Sequence, residues 1–475
     1  MREFHAGSTV EDDGALASDT GSPRILRRDL GLWAAIAVTM GTMIGTGIFL
    51  KPAEVAREAG SFEMAMMAWV VGGILVLFGA LSYAELGAAL PDAGAQYVYL
   101  GRGLSPVWGY LYGWRLFIVS VPATNAAYAS ATALFMTYLI PELATQVVRI
   151  GSITLEAAKV LALGIVLVVT TLNWLSARSV GRLQVGLTLI KVLSLVLAIG
   201  AGTLALGEPR PVASPVTQRL SANGFLIAVS ATLWAYSGWS GVLRLGSELK
   251  DPGRSIPRAM FGGFGATAIL FLLVNLACFS VLSFSEVAAS PHVVSDMLER
   301  TIGVRGADFL TVMMIVSTLG AFNATTLTAS RIPYALARDG YFPRPLAWLT
   351  PRGRSPVVSV TVPALVTAGL VLTGSFDDAT ALMVLAQWSF LALGIVALIR
   401  LRKTEPNLRR PVRAWGYPVV PLIFALMATA LAVALLIRDP LRSSIGAVLI
   451  ASGLLFYRKQ PGFVPGASVA PPMAE

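Results

Sequence analysis

The chain has 475 residues, of which 55% are hydrophobic and only 13% are charged, against about 25% charged residues in an ordinary globular domain. This composition excludes a soluble enzyme or binding domain and indicates a membrane protein. The net charge of +10 does not indicate a nucleic-acid partner, because the Lys and Arg residues are spread over many loops rather than clustered in one soluble face. No P-loop, H-E-x-x-H or G-x-S-x-G pattern occurs, so we predict no enzymatic activity, no cofactor and no metal site.

Residues 1–29 lack the apolar segment of a signal peptide and are predicted to be a disordered cytoplasmic tail. A bilayer core about 30 Å thick needs roughly 20 apolar residues per helix, and such windows follow one another through residues 30–457. They predict one all-α polytopic domain of about twelve transmembrane helices. Residues 458–475 form a second predicted cytoplasmic tail. With both tails inside, most basic residues fall on the cytoplasmic side, so we expect a multi-pass protein of the cytoplasmic membrane.

The first predicted span contains the run GTMIGTGIFL at 41–50. Gly41 and Gly45 form a G-x-x-x-G pattern, which alone would indicate close packing of two membrane helices. Gly47 lies on another face, and each glycine costs about 1 kcal/mol relative to alanine in a helix interior. We therefore predict a break at Gly45–Gly47. A break inside a membrane is tolerated only where the freed backbone groups line a cavity or bind something.

The sixth predicted span contains a comparable run, LWAYSGWSG at 233–241, in which small residues alternate with aromatic ones. Transporters built from inverted repeats place discontinuous helices at equivalent positions of their two halves. Spans 1 and 6 therefore predict a five-plus-five inverted repeat with two broken helices. Free N–H groups that begin a half-helix attract a carboxylate, and free carbonyls that end one attract an ammonium. A site with both groups suits a zwitterion, and amino acids are the obvious small zwitterions.

Six runs of the sequence, taken in order, resemble the amino acid-polyamine-organocation superfamily of transporters. The resemblance covers roughly residues 28–457, and the branch it indicates is the L-type amino acid transporters with their bacterial relatives. The six runs are GTMIGTGIF (41–49), SYAELGAALPDAGAQYVYL (82–100), WAYSGW (234–239), GSELKDPGRSIPRAM (246–260), ASRIPYALARDGYFP (329–343) and RRPVRAWGYPVVP (409–421).

The resemblance implies a substrate site on the two broken helices. It places the substrate carboxylate on the N–H groups of Thr46 and Gly47. It places the ammonium on carbonyls near Met43, Trp234, Ala235 and Ser237. The predicted substrate-binding residues are Met43, Ile44, Gly45, Thr46, Gly47, Asn125, Trp234, Ala235, Ser237, Gly238, Asn323 and Trp388.

Four of these residues carry more specific predictions. The resemblance implies that Trp234 closes over the outer side of the substrate, and packing alone is its alternative role. Trp388 is expected to form an aromatic wall of the side-chain pocket. For Asn125 and Asn323, a hydrogen bond between helices that serves structure alone is an equal alternative to lining the pocket.

Three basic residues are predicted to lie inside helices, where each costs at least about 2.5–3.5 kcal/mol on insertion scales. The resemblance implies that Lys191, in span 5, occupies the place that a sodium ion takes in other members. Its expected contacts are carbonyls of span 1 and the hydroxyls of Ser317 or Thr318. Snorkelling to the cytoplasm is the alternative. Burial favours the neutral amine and carbonyls favour the ammonium, so a fixed charge and a proton-coupling role both stay open.

The other two are Arg244 and Arg115. Arg244 lies four residues before Glu248, which predicts a salt bridge on one helix face. The alternative is a role in an inner gate, together with Glu85 at the end of span 2. No partner is predicted for Arg115.

The predicted function is secondary active or exchange transport of amino acids by alternating access, without a sodium requirement. Neutral substrates are favoured, because spans 1, 3, 6, 8 and 10 have no Asp or Glu near their centres; a cationic amino acid or polyamine transporter is the alternative. A non-transporting sensor would need a signalling domain, for which no tail is long enough. Animal transporters of this branch are disulfide-linked to a partner chain, whereas the single cysteine, Cys278, lies in an apolar run, so we expect no such subunit.

Overall fold

A computed structural model describes residues 28–150, 153–175, 177–204, 222–290, 293–351, 355–373, 376–438 and 440–458 of the chain. The two predicted tails lie almost entirely outside these residues. Helices dominate the described part, as the apolar windows predicted.

Ten α-helices of the described residues come before the second break. They are α1 (Leu32–Met43), α2 (Gly47–Ala59), α3 (Phe62–Ala89), α4 (Gln96–Gly103), α5 (Pro106–Arg115), α6 (Val121–Leu139), α7 (Glu142–Thr145), α8 (Ala157–Leu172), α9 (Ala177–Leu204) and α10 (Ala222–Ala235).

The helices of the second half follow the second break. They are α11 (Pro252–Val281), α12 (Phe284–Ala289), α13 (Val293–Ile302), α14 (Val304–Ala329), α15 (Arg331–Arg338), α16 (Val357–Thr373), α17 (Phe376–Thr404), α18 (Val419–Arg438) and α19 (Pro440–Ala451).

The described chain departs from the all-α prediction at one hairpin. Strands β1 (Val147–Ile150) and β2 (Ile153–Glu156) pair antiparallel, with Val147 opposite Glu156 and Ile150 opposite Ile153. Val147, Val148, Ile150 and Ile153 are β-branched residues, which favour the extended backbone of a strand. The fold is therefore helical with one short two-stranded sheet between α7 and α8.

The surface of the helices fits a bilayer. Four described stretches are long and apolar enough to cross it: Phe62–Ala89, Arg178–Leu204, Pro252–Val281 and Thr311–Arg338. Large apolar side chains on several helices point outward, including Leu189, Leu365 and Leu426, which are 64%, 68% and 72% exposed. Such a surface is stable only against an apolar solvent, so the protein is a helical membrane protein.

Three of the predicted spans are not continuous α-helices. Residues 44–46 separate α1 from α2. Turns follow α10 and lead into a 3₁₀ segment at Gly241–Leu245. A π-helical turn at Leu116–Ser120 lies between α5 and α6. The predicted breaks in spans 1 and 6 are therefore present, whereas the interruption in span 3, which Pro122 follows by two residues, was not predicted.

Helix packing brings the two breaks to the same part of the interior. The helix α1 packs against α9, α11 and α14, and α10 packs against α2 and α3. The helix α6 packs against α14, α16 and α8. The break in span 1 thus lies between α9, α14 and α6 on one side and α10 on the other.

Candidate functional site

The first break exposes the start of α2 to the interior. The N–H of Ile44 still donates to Met40 O and the N–H of Gly45 donates to Met43 O. Thr46 is the N-cap of α2 and its side chain makes no capping hydrogen bond. The N–H groups of Thr46 and Gly47 precede the first full turn of α2, so they have no acceptor within that helix. Together with the positive end of the helix dipole they form a place for an anionic group.

The second break packs directly on the first. Gly238 has a φ of +102°, and a Cβ there would lie 2.4 Å from Thr42 O. Thr42 Oγ1 donates to Gly238 O at 2.9 Å. Gly238 therefore needs both the left-handed backbone and the missing side chain, and it joins the two interrupted helices rather than facing a substrate.

The three glycines of the first run have different surroundings. A Cβ on Gly41 would lie 2.1 Å from Gln184 Nε2, and a Cβ on Gly47 would lie 2.8 Å from Ala235 Cα. A Cβ on Gly45 would meet only ordinary contacts, 3.5 Å from Ala321 Cβ. Gly41 and Gly47 thus permit close packing of helices, whereas Gly45 borders open space.

That open space is a small cavity between the two breaks and α6, with about 40 Å³ of room for the centres of water-sized molecules. Its lining contains seven of the predicted substrate-binding residues, namely Met43, Gly45, Thr46, Gly47, Trp234, Ala235 and Ser237.

Four further lining residues, Thr42, Thr124, Ala127 and Tyr128, were not predicted. Thr124 and Tyr128 are four residues apart and share one face of α6, from which their neighbour Asn125 is turned away. Their polar groups at helical spacing in an apolar span were the signal that was missed.

The remaining predicted residues do not line this cavity. Asn323 Nδ2 donates to Gln184 Oε1 at 2.9 Å, and Asn173 Nδ2 donates to Asn323 Oδ1 at 3.0 Å. Asn125 Nδ2 donates to Thr326 Oγ1 at 3.2 Å. The geometry favours the interhelical hydrogen bonds that were the structural alternative for both predicted asparagines.

Of the two predicted tryptophans, only Trp234 lines the cavity. Trp388 is buried against Phe424, with 6.2 Å between ring centroids, and is not part of the cavity wall. Trp234 is half-buried at the cavity, and Lys51 Nζ lies 5.1 Å from the centroid of its ring. Its ring therefore lies between the cavity and the charged face of α2.

Lys191 is buried, with 1% of its surface exposed. Its Nζ donates to Gly41 O at 3.0 Å and to Ile44 O at 2.6 Å. Ser317 Oγ donates to the same Ile44 carbonyl at 3.2 Å, whereas Thr318 Oγ1 donates within its own helix to Met314 O. The ammonium thus ties α9 to carbonyls at the end of α1, directly beside the break.

Glu248 does not pair with Arg244, so that prediction was wrong. Residues 241–245 form a 3₁₀ segment, which does not give the α-helical i,i+4 neighbours on which the prediction depended. Glu248 instead accepts two hydrogen bonds from Arg331, at 2.6 and 3.0 Å, and each side chain is only 1% exposed. This buried pair joins the end of span 6 to α15.

Glu85 is likewise bound by residues other than Arg244. Its carboxylate accepts hydrogen bonds from Arg402 at 2.9 and 2.5 Å and from the N–H of Ala414 at 2.6 Å, and Arg410 lies 3.2 Å away. A gate contact between Glu85 and Arg244 is therefore not present in this conformation.

A third group of charges lies near the same end of the helices. Arg338 pairs with Asp92 at 3.3 Å and with Asp339 at 2.8 Å, and Tyr97 donates to Asp339 at 2.8 Å. These residues join the segment before α4 to the segment after α15. With the Glu248 and Glu85 pairs they form a layer of ion pairs, which we call the inner ion pairs.

Comparison with known proteins agrees with this geometry. Residues 30–457 match the amino acid permease family. The chain is 28% identical to human b(0,+)-type amino acid transporter 1, covering 94% of this chain and 91% of that protein. It is 28% identical to the serine/threonine exchanger SteT of Bacillus subtilis (91% and 96%) and 29% identical to mouse Asc-type amino acid transporter 1 (92% and 83%). Because the family match spans nearly the whole chain, the protein belongs to the amino acid permease family.

Proposed function

We propose that this permease carries neutral amino acids across the cytoplasmic membrane by alternating access, as an exchanger or secondary active transporter that does not use sodium. The observation that carries the proposal is the cavity between the two breaks. There the N–H groups at the start of α2 and backbone carbonyl groups lie on the same cavity. N–H donors bind a carboxylate and carbonyl acceptors bind an ammonium, so together they suit a zwitterion.

The substrate carboxylate binds the N–H groups of Thr46 and Gly47, which begin α2. The ammonium binds carbonyls on the other side of the cavity. Two of the predicted carbonyls each accept one backbone hydrogen bond, Met43 O from Gly45 and Trp234 O from Ser237. A carbonyl oxygen has two lone pairs, so each retains capacity for the ammonium.

The preference for neutral side chains follows from the cavity wall. None of the described residues lining it is Asp or Glu. A cationic side chain would be desolvated there without a counter-charge, which is costly in a low-dielectric site. The similar protein SteT of Bacillus subtilis is a serine/threonine exchanger, which agrees with small neutral substrates.

The remaining architecture is part of the same proposal. We propose twelve spans, a five-plus-five inverted repeat and cytoplasmic termini. In that arrangement the inner ion pairs lie on the cytoplasmic side of the membrane, opposite Lys51 and Trp234. Cys278 is fully buried, so the chain works without a disulfide-linked partner.

Counterflow in liposomes tests the proposal. Purified protein is reconstituted with unlabelled serine inside, and entry of labelled neutral, cationic and acidic amino acids is measured against protein-free liposomes. We expect neutral amino acids to enter. Exclusive entry of lysine, arginine or polyamines would contradict the neutral assignment, and no entry of any amino acid would contradict transport itself.

Trp234→Ala is expected to reduce uptake roughly tenfold while the Tm of the purified protein changes little. The ring covers one side of the cavity, and its loss removes contacts made with the bound substrate, for which 1.4 kcal/mol corresponds to a factor of ten. Uptake and thermal unfolding are measured on the same preparation. Trp388→Ala is the matched comparison, because its ring is buried against Phe424 and we expect its loss to lower Tm. A fall in uptake for Trp234→Ala that merely follows a loss of folded protein would assign Trp234 to packing.

Glu248→Gln and Arg331→Met are each expected to lower the Tm clearly, because each leaves one buried charge without its partner at a cost of about 3–5 kcal/mol. Arg102→Gln is the control, since Arg102 pairs with Glu405 at 2.6 Å but both side chains are about a quarter exposed, where such pairs contribute about 0–1 kcal/mol. Equal Tm values for all three variants would show that the buried pair contributes no more to stability than the partly exposed pair.

A further inference from the structure

Lys51 lies on the face of α2 that continues from the cavity. Gly47 lines the cavity at the start of α2, and a Cβ there would lie 2.8 Å from Ala235 Cα. Lys51 and Glu54 follow Gly47 by four and seven residues, which puts all three on one face of the helix. This helix packs against α10. Lys51 is therefore about 6 Å further along α2 than Gly47, just beyond the cavity wall.

The ammonium of Lys51 lies over an aromatic ring of that wall. Its Nζ is 5.1 Å from the centroid of the Trp234 ring, within the distance of about 6 Å at which the negative face of an indole attracts a cation. The same tryptophan lines the cavity. A positive charge thus lies on the far side of the ring from the space for the substrate.

Glu54 holds the ammonium in this place. Lys51 Nζ donates a hydrogen bond to Glu54 Oε2, so the carboxylate and the Trp234 ring both act on the same nitrogen. The two charged side chains are 24% and 31% exposed, and pairs as exposed as this contribute little to stability. Stability alone therefore gives little reason for a charged pair here.

The charges behind the cavity wall set its electrostatic preference, because none of the described lining residues is charged. The ammonium of Lys51 lies against Trp234, whereas Glu54 belongs to a position about 4.5 Å further along α2. The positive member of the pair is therefore the nearer one to the cavity. A cationic substrate that enters from the proposed outer side passes Trp234 and is repelled by this charge through a ring that screens it less than water does.

We propose that Lys51 is a specificity-determining residue, whose ammonium disfavours cationic amino acids and sharpens the preference for neutral ones. The inference rests on the proposed function, because it concerns which amino acids the same cavity takes. Lys51 acts through Trp234 and through its charge rather than by touching the substrate. Its removal should therefore change selectivity more than it changes the transport of a neutral substrate.

Competition in the counterflow assay tests the inference. Entry of the labelled neutral amino acid that wild type carries best is inhibited with L-lysine and with L-norleucine, which is lysine without its side-chain ammonium. The ratio of the two half-inhibitory concentrations, lysine over norleucine, isolates the effect of the charge. We expect Lys51→Met and Lys51→Gln each to lower this ratio roughly three- to tenfold, with little change in the value for norleucine.

Two further variants test the sign of the effect. Lys51→Arg keeps the positive charge and is expected to keep the ratio within about twofold of wild type. Glu54→Gln leaves the ammonium without its counter-charge and is expected to raise the ratio roughly two- to threefold. A purely structural role of the pair would weaken both inhibitors alike and would not move the ratio in opposite directions.

Arg57→Gln is the matched control, because it removes a positive charge from another face of α2, where Arg57 donates to Ala288 O. Its ratio is expected to equal that of wild type. For any variant that does not transport, binding of the same two amino acids is measured by the rise in Tm of the purified protein, and the same change in their ratio is expected.

The inference is overturned if wild type, Lys51→Met and Lys51→Gln share one ratio, or if Arg57→Gln changes it as much as Lys51→Met does. Failure of the proposed function is seen separately, in wild type alone, which would then carry no neutral amino acid. That outcome overturns both.

Discussion

Gly45→Leu is expected to lower amino acid uptake by roughly 100-fold or more while the protein remains folded. The leucine side chain would extend into the cavity, where a Cβ at position 45 meets only ordinary contacts, and would take the space proposed for the substrate carboxylate. Charge-assisted hydrogen bonds contribute about 1.5–3 kcal/mol each, and each 1.4 kcal/mol is a factor of ten. Uptake into liposomes is compared with Tm and with the size-exclusion profile of the same variant.

Gly45→Ala and Gly47→Ala are the controls for this result. Gly45→Ala adds one methyl group that makes only ordinary van der Waals contacts and is expected to keep most of the uptake. Gly47→Ala places a Cβ 2.8 Å from the backbone of Ala235 and is expected to lower the Tm, because backbone must move. Normal uptake with Gly45→Leu would refute the carboxylate site at the first break and leave only a packing role for these glycines.

Lys191→Met is expected to lower uptake by roughly 10- to 100-fold, because it removes the charged donor from Gly41 O and Ile44 O beside the proposed substrate site. Losing such hydrogen bonds costs about 1.5–3 kcal/mol each, and one of the freed carbonyls, Ile44 O, belongs to the unwound residues 44–46. Lys159→Met is the control, since Lys159 is partly exposed and lies 3.9 Å from Glu156; its uptake is expected to equal that of wild type.

Wild-type uptake is expected to be unchanged when sodium is replaced by potassium or choline, because the Lys191 ammonium occupies the carbonyls that a sodium ion would need. A strict sodium requirement would refute this assignment. A pH series on wild type then distinguishes two mechanisms: exchange with a permanently charged Lys191 shows weak pH dependence, whereas proton coupling makes uptake follow an imposed proton gradient. Lys191→Met removes that dependence in the second case.

Several features of this protein were determined by the sequence alone, because they depend on local chemistry. The apolar windows required helices in a bilayer, and glycines in the runs at 41–47 and 234–241 weakened two of those helices enough to break them. The break at residues 44–46 and the turns after Ala235 therefore lie where the sequence predicted. The order of six motifs identified the superfamily for the same reason, since each motif is a short contiguous run.

Other features were decided only by the tertiary structure, because they depend on which residues of distant segments meet. Glu248 has Arg244 four residues away in the sequence, yet it binds Arg331, since the intervening 3₁₀ turns rotate the two side chains apart. Asn323 is at membrane depth but is engaged by Gln184 and Asn173 of neighbouring helices. The distinction between Gly45, which borders the cavity, and Gly47, which packs on Ala235, arises in the same way. Local sequence sets where a membrane helix can break, whereas helix packing decides which freed and charged groups remain available to a ligand.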